Sequence, residues 1–134
     1  MKKFLMATFA VFVTWQVLDF LIHSVLLAQM YKDTESLWRP MAEMKMGVMA
    51  FVTIISSATF CYLYDAFVRD KSMTNALKFS LVFGISAGVG MGYGTYAVMP
   101  IPYMLALAWF LGTVIETVVA GLILGLIYKG STAA

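Results

Sequence analysis

We predict an all-α integral membrane protein, a four-helix transmembrane bundle built from two antiparallel hairpins. Two properties of the sequence predict this fold. Of the 134 residues, 62% are hydrophobic and 12% are charged, and the mean hydropathy is +0.88, whereas a soluble domain is about half apolar and about a quarter charged. The apolar residues are also gathered into four runs, each with the roughly 20 residues needed to cross a bilayer. A soluble protein of this size could not bury so much apolar surface.

The four runs cover approximately residues 4–30, 46–68, 76–98 and 103–128, so residues 1–134 are expected to form a single transmembrane domain. We expect helices because lipid cannot satisfy backbone polar groups and the alternating pattern of a membrane barrel is missing. The first run is longer than a signal peptide and lacks a clear cleavage site, which indicates a retained helix. Pro100 and Pro102 leave a short last connection, which makes the third and fourth helices an antiparallel hairpin.

Lysine and arginine residues predict the orientation of the helices. Six fall on the side that would hold both termini, namely Lys2, Lys3, Arg69, Lys71, Lys78 and Lys129, and three fall on the other side, namely Lys32, Arg39 and Lys45. Because positive residues favour the cytoplasmic side, we expect both termini in the cytoplasm, with the protein in a bacterial inner membrane. No basic and aromatic patch indicates nucleic acid. The expected partners are the lipid bilayer and other membrane subunits or further copies of the chain.

Polar side chains inside the predicted spans are the candidate functional residues, because such residues are costly in lipid and usually face protein or water. Gln16, Asp19 and His23 lie three and four residues apart, and therefore share one face of the first helix. Glu116 lies at the centre of the fourth helix, at a depth that can reach Asp19. We interpret these four residues as a buried polar cluster. The cluster either carries protons or a cation, or it clasps the helices together.

The third helix carries glycine residues four positions apart. Gly84, Gly88 and Gly92 form one series, and Gly90 and Gly94 belong to a second. This spacing predicts close packing against neighbouring helices. The alternative is that the helix lines a pocket or forms a hinge. The glycines are not a nucleotide-binding fingerprint, because they lie in a membrane span and no strand precedes them.

Metal-binding side chains occur near the start of the second span. Four methionines lie within nine residues there, namely Met41, Met44, Met46 and Met49. Thioethers suit Cu(I), which makes Met41, Met44 and His23 candidate metal ligands. The four methionines do not share one helix face, and methionine is also an ordinary apolar residue. His23 is the only histidine, so a haem held by two histidines would need a second copy, and the sequence assigns no cofactor.

These observations leave three functions open. The first is a non-catalytic component of a membrane complex or of a self-assembling bundle, which the lack of a soluble domain or cofactor motif favours. The second is a small transporter or channel for protons, a metal or a small cation, which would use Asp19, His23 and Glu116. The third is a haem- or quinone-linked redox subunit that would use His23. We do not expect an enzyme, because no nucleophile or metal motif accompanies the histidine and carboxylate pair.

Overall fold

Four long helices form the body of the protein. A computed structural model describes residues 1–129, and all the regular elements in that range are helical. Each long helix has the length and apolar composition needed to cross a membrane, which confirms the prediction of a four-helix transmembrane bundle. The five helices are α1 (Lys2–Leu26), the short α2 (Ala28–Asp33), α3 (Met46–Phe67), α4 (Met73–Val98) and α5 (Tyr103–Tyr128).

The connections lie at two opposite ends of the bundle. Residues 68–72 join α3 to α4 at the end where α1 begins, and we call this the Lys71 end. The other two connections lie at what we call the Pro100 end. Residues 99–102 join α4 to α5 there, and the connection from α1 to α3 contains α2 and the single 3₁₀ turns Glu35–Leu37 and Met41–Glu43.

The long helices pair as two antiparallel hairpins. Helix α1 packs against α3 and also against α5, and α5 packs along α4. Helices α3 and α4 meet mainly through aromatic side chains, since the Phe60 ring centroid lies 5.1 Å from those of both Phe79 and Phe83. Helices α1 and α5 therefore form the inner contact that joins the two hairpins.

Glycine residues allow α4 and α5 to approach closely. A Cβ atom at Gly88 would lie 2.9 Å from the backbone oxygen of Phe110, closer than real Cβ contacts allow. Gly84 and Gly92 meet α5 in the same way, at Thr117 and at the backbone oxygen of Ala106. On α5, Gly121 and Gly125 face α4 reciprocally, against Ser80 and Met73.

The second glycine series lies on another face of α4. A Cβ atom at Gly90 would have no neighbour within 4 Å, and one at Gly94 would meet only the Val89 oxygen of its own helix, at 4.0 Å. The reason is geometric, because Gly90 is two positions from Gly88 and therefore about 200° around the helix. Close packing with α5 is confined to the series that begins at Gly84.

Helix α1 ends earlier than the apolar run predicts. The run extends to Met30, but the helix widens into a π-helical segment at Phe20–Leu26 and breaks at Leu27, whose N–H donates to Ile22 O over 2.9 Å. Helix α2 then starts in a new direction, and Thr34 caps it by donating to Met30 O over 2.7 Å. This break brings α2 back towards the end of α1. A second π-helical segment occupies Gly90–Gly94 of α4.

Two apolar clusters fill the interior. The larger one lies towards the Lys71 end and contains buried residues of all four long helices, among them Val11, Phe60, Ala76 and Leu124. The smaller one lies at the Pro100 end, around Leu105 and Trp109. The polar side chains of α1 and α5 lie between these two clusters.

Candidate functional site

Helices α1 and α5 are joined by a polar contact near the middle of the bundle. The indole nitrogen of Trp15 donates to the backbone oxygen of Glu116 over 2.9 Å. This bond sets Trp15 level with Glu116, and Asp19 lies one helical turn beyond Trp15 towards the Pro100 end. The Asp19 and Glu116 carboxyl groups lie close enough to interact as hydrogen-bonding neighbours.

The carboxyl pair is extended by His23. Its Nε2 lies 3.8 Å from Oδ1 of Asp19, and the two side chains are 34% and 42% exposed. Oε1 of Glu116 is buried and has no hydrogen-bond partner among residues 1–129. Two ionised carboxylates at this range repel each other and neither can donate a hydrogen bond. A pair of neighbouring carboxyl groups therefore holds one proton between them. Three of the four residues in the predicted polar cluster therefore lie together.

A hydrogen-bonded chain continues from His23 to the Pro100 end. The Tyr31 hydroxyl lies 2.6 Å from Nδ1 of His23, and the indole nitrogen of Trp109 donates to the same hydroxyl over 2.7 Å. Indole N–H can only donate, so the Tyr31 oxygen accepts from Trp109 and its own hydrogen is left for His23. With Nδ1 as the acceptor, the neutral imidazole carries its hydrogen on Nε2, on the side of Asp19.

The same geometry suits the protonated ring. A hydroxyl oxygen has two lone pairs, and Trp109 occupies one of them. Tyr31 can therefore also accept a hydrogen from Nδ1 when both ring nitrogens of His23 carry one. His23 can gain or lose a proton without turning its ring, which is what a proton-transfer group needs.

Tyr31 remains a phenol at ordinary pH. It lies in α2, outside the membrane-spanning segments, and burial raises its pKa to about 12 although the bond from Trp109 opposes this shift. Its hydroxyl is therefore present as both donor and acceptor for His23.

Aromatic rings hold Tyr31 over the site. The Tyr31 ring centroid lies 5.6 Å from that of Trp38 and 6.4 Å from that of Trp109, and the two tryptophans are 5.9 Å apart. The indole nitrogen of Trp38 donates to Thr34, the residue that caps α2, over 2.8 Å. The connection after α1 is therefore fixed by hydrogen bonds and ring contacts at the place where it covers His23.

Gln16 is separate from the other three residues of the predicted cluster. Its side chain is exposed on the surface of α1, and it makes no side-chain hydrogen bond within residues 1–129. Gln16 and Asp19 therefore both expose polar atoms on the outer surface of α1, at a depth that lies within the membrane.

Another ion pair lies at the Lys71 end, where α3 ends at Phe67. Lys71 Nζ lies 3.9 Å from Oδ1 of Asp65 and donates to the backbone oxygens of Tyr64 and Asp65 over 2.7 and 2.6 Å. These carbonyls belong to the last turns of α3, so Lys71 caps the end of that helix. Asp65 lies in the last turn of α3, at the Lys71 end, and does not belong to the central cluster.

The methionine candidates lie apart from His23 along the chain. Met41 and Met44 lie in the connection before α3, Met46 and Met49 lie in its first turn, and all four are exposed. Within residues 1–129, no three His, Cys, Asp or Glu side chains are grouped so as to hold a metal ion. Copper binding by these methionines stays a prediction from the sequence alone.

Sequence reasoning missed two members of the polar chain. These are Tyr31 and Trp109, neither of which was predicted to belong to the polar cluster. One signal was present, because Trp109 lies two helical turns before Glu116 and therefore on the same face of α5. The approach of Tyr31 to His23 depends on the break at Leu27, which no proline or glycine marks.

Comparisons with known proteins give no relative for this chain. It matches no family model, and no curated protein or solved structure is significantly similar to it.

Proposed function

We propose that this chain is a small membrane protein that carries protons through Asp19, His23 and Glu116. The supporting observation is the chain of polar groups from Trp109 and Tyr31 through His23 to Asp19 and Glu116. It runs from the Pro100 end to the middle of the bundle, where apolar residues would otherwise be expected. Ionisable groups at that depth commonly mark proton or ion routes.

A proton suits the site better than a metal ion. The two ring nitrogens of His23 face Tyr31 and Asp19, so neither is free to bind a metal or a haem iron without breaking the chain. The adjacent carboxyl groups of Asp19 and Glu116 need a hydrogen between them rather than a large cation. These contacts also argue against the haem-linked alternative.

The direction of the route follows from the basic residues. More lysine and arginine residues lie at the Lys71 end than at the Pro100 end, and positive residues favour the cytoplasmic side. The Lys71 end with both termini therefore faces the cytoplasm in this proposal, and His23 receives protons from the outer side. This orientation, with the more basic end in the cytoplasm, is the one expected for a protein of a bacterial inner membrane.

Proton flux into liposomes tests the proposal. The purified chain is reconstituted in vesicles that contain a pH-sensitive dye, and a pH step with a potassium diffusion potential drives the flux. We expect flux in the parent protein and its loss in Glu116→Gln and Asp19→Asn. The matched controls are Glu43→Gln and Asp33→Asn, which change the same groups in the exposed connection at the Pro100 end and should keep parental flux. Parent vesicles no leakier than empty ones, or full flux in Glu116→Gln, would refute the proposal.

A component of a larger membrane assembly is the second candidate function. The observation that favours it is the exposure of Gln16 and of 42% of the Asp19 side chain on the side of α1. A charged residue that faces lipid at the helix centre costs about 2.5–3.5 kcal/mol, so another helix, from a second copy or another subunit, would cover this face. Gln16→Cys should then form a crosslink in membranes, whereas Val17→Cys should not, because Val17 is 53% exposed at the same depth but lies about 100° around α1 from Gln16. A monomer in mild detergent without a bound partner would contradict this candidate.

A further inference from the structure

The Lys71 end contains a second group of buried polar atoms. Lys71 is 5% exposed although it carries a charge. Its ammonium group has three N–H donors, and two of them bind the backbone oxygens of Tyr64 and Asp65. The Asp65 carboxylate is 3.9 Å away, which is too far for a direct hydrogen bond but close enough for an ion pair.

Two buried tyrosine hydroxyls lie beside this ion pair. Tyr64 is 0% exposed and Tyr128 is 2% exposed, and neither hydroxyl has a hydrogen-bond partner among residues 1–129. Their ring centroids are 5.5 Å apart, and Lys71 Nζ lies 4.8 Å from the Tyr64 ring and 5.6 Å from the Tyr128 ring. Both side chains therefore lie against the buried ammonium group.

Polar atoms continue from Tyr128 into the bundle. Asp65 is a hydrogen-bonding neighbour of the Tyr128 hydroxyl, although the two form no bond of full geometry, and Cys61 is an electrostatic neighbour of that hydroxyl. Thr8 is a hydrogen-bonding neighbour of the Cys61 thiol. Oγ1 of Thr8 is also buried without a partner in the described part of the chain. The side chains of Tyr64, Asp65, Tyr128, Cys61 and Thr8 together form a polar track between α1, α3 and α5, which we call the inner track.

Unpartnered buried hydroxyls are rare and costly. An unsatisfied group costs about 1–3 kcal/mol, and buried polar atoms are nearly always bonded to protein or to ordered water. An apolar interior would be served as well by phenylalanine at positions 64 and 128. Water molecules that enter from the Lys71 end would supply the bonds that residues 1–129 do not give to these hydroxyls.

We infer that the inner track binds water and forms the cytoplasmic half of the proton route. This inference rests on the proposed function of the central site. Each hydroxyl, the Cys61 thiol and each bound water molecule accepts a proton from one neighbour as it releases its own to the next, so the protonation state of each group is unchanged after the transfer. Asp65 accepts the proton at the end and releases it to bulk water, and Lys71 holds Asp65 in place. No electrons move in any of these steps.

An apolar layer separates the inner track from the central site. Val11, Phe60, Ala120 and Leu124 are fully buried there, and Trp15 is nearly so. Thr8 and Asp19 belong to the same α-helical part of α1, and their spacing along it is about 16 Å. A proton crosses this layer only when water enters it, as at the apolar constrictions that gate channels by dewetting.

Hydroxyl-radical footprinting tests for the water directly. Radicals formed from bound water modify adjacent side chains even when these are buried, and mass spectrometry locates the modification. In the parent protein in lipid nanodiscs, we expect modification of Tyr64 and Tyr128 and none of Phe60, which is equally buried in the apolar layer. Tyrosines as unmodified as Phe60 would overturn the inference.

Proton flux then tests the role of the track. Tyr64→Phe and Tyr128→Phe remove only a hydroxyl, so folding is preserved, and we expect both to lose flux to the level of Glu116→Gln. Tyr62→Phe is the matched control, because Tyr62 lies on the same helix with its side chain 57% exposed, and it should keep parental flux. Full flux in both track variants would overturn the inference and leave the proposed function intact. No flux in the parent would overturn both.

Discussion

The Tyr31 hydroxyl is the single atom that connects His23 to Trp109, and Tyr31→Phe removes it without changing the ring. The variant loses hydrogen bonds of 2.6 and 2.7 Å. Such bonds contribute about 0.6 kcal/mol each on average within membrane proteins. Trp109 is 7% exposed, and its indole N–H is left without an acceptor, which adds about 1 kcal/mol. We therefore expect the free energy of unfolding to fall by about 2 kcal/mol.

Reversible unfolding in mixed micelles, followed by circular dichroism, measures this loss. Tyr96→Phe is the matched control, because Tyr96 lies at the same end of the bundle, is 45% exposed and contacts Tyr103 only through its ring. Its effect should stay within about 0.5 kcal/mol. A double-mutant cycle with Trp109→Phe isolates the contact, because residues that share a bond are not additive. Equal effects of Tyr31→Phe and Tyr96→Phe, or full additivity with Trp109→Phe, would refute the hydrogen-bonded chain.

Three further predictions follow from the packing, the helix cap and the buried phenol. Gly92→Ala places a Cβ atom against the Ala106 oxygen and should lower the free energy of unfolding by about 1–3 kcal/mol. Gly90→Ala is the control, because its Cβ atom has open space, and it should be neutral or stabilising. Equal losses in the two variants would contradict the packing of α4 against α5. Lys71→Met leaves two carbonyls of α3 without their donor and should cost about 1.5–3 kcal/mol by the same unfolding assay, and no loss would show that the cap is dispensable. The folded-state pKa of Tyr31, about 12, lies above its ordinary value of 10.0, so its contribution to stability is complete below pH 10 and is lost as the pH rises to 12. Ultraviolet titration should show one fewer late-titrating phenol in Tyr31→Phe, and identical curves would contradict the burial of Tyr31.

The sequence was sufficient to predict the helices but not the helix break. Hydropathy marks the four spans, because a segment that crosses the bilayer must satisfy its own backbone hydrogen bonds as a helix and present apolar side chains to lipid. The early end of α1 escaped prediction, because the residues from Phe20 to Leu27 are as apolar as a continued helix would be. The π-helical segment at Phe20–Leu26 therefore leaves no mark in the periodicity of the sequence.

The candidate site was predicted in part for a similar reason. The i, i+4 spacing sets Asp19 beside His23, and depth alone sets Glu116 within reach of Asp19. Neither rule reveals which helices are neighbours, so Trp109 was not anticipated. The two glycine series of α4 satisfied the same spacing rule, and only the position of α5 distinguishes Gly88 from Gly90.

A proton held between Asp19 and Glu116 is directly visible by infrared spectroscopy, because a protonated carboxyl group has its own carbonyl band, which shifts in D₂O. At neutral pH the parent protein should show this band. Asp19→Asn and Glu116→Gln should each lose it, and Glu43→Gln should keep it. A parent spectrum without a protonated carboxyl band, or a band that survives both central substitutions, would contradict the proton-carrying site.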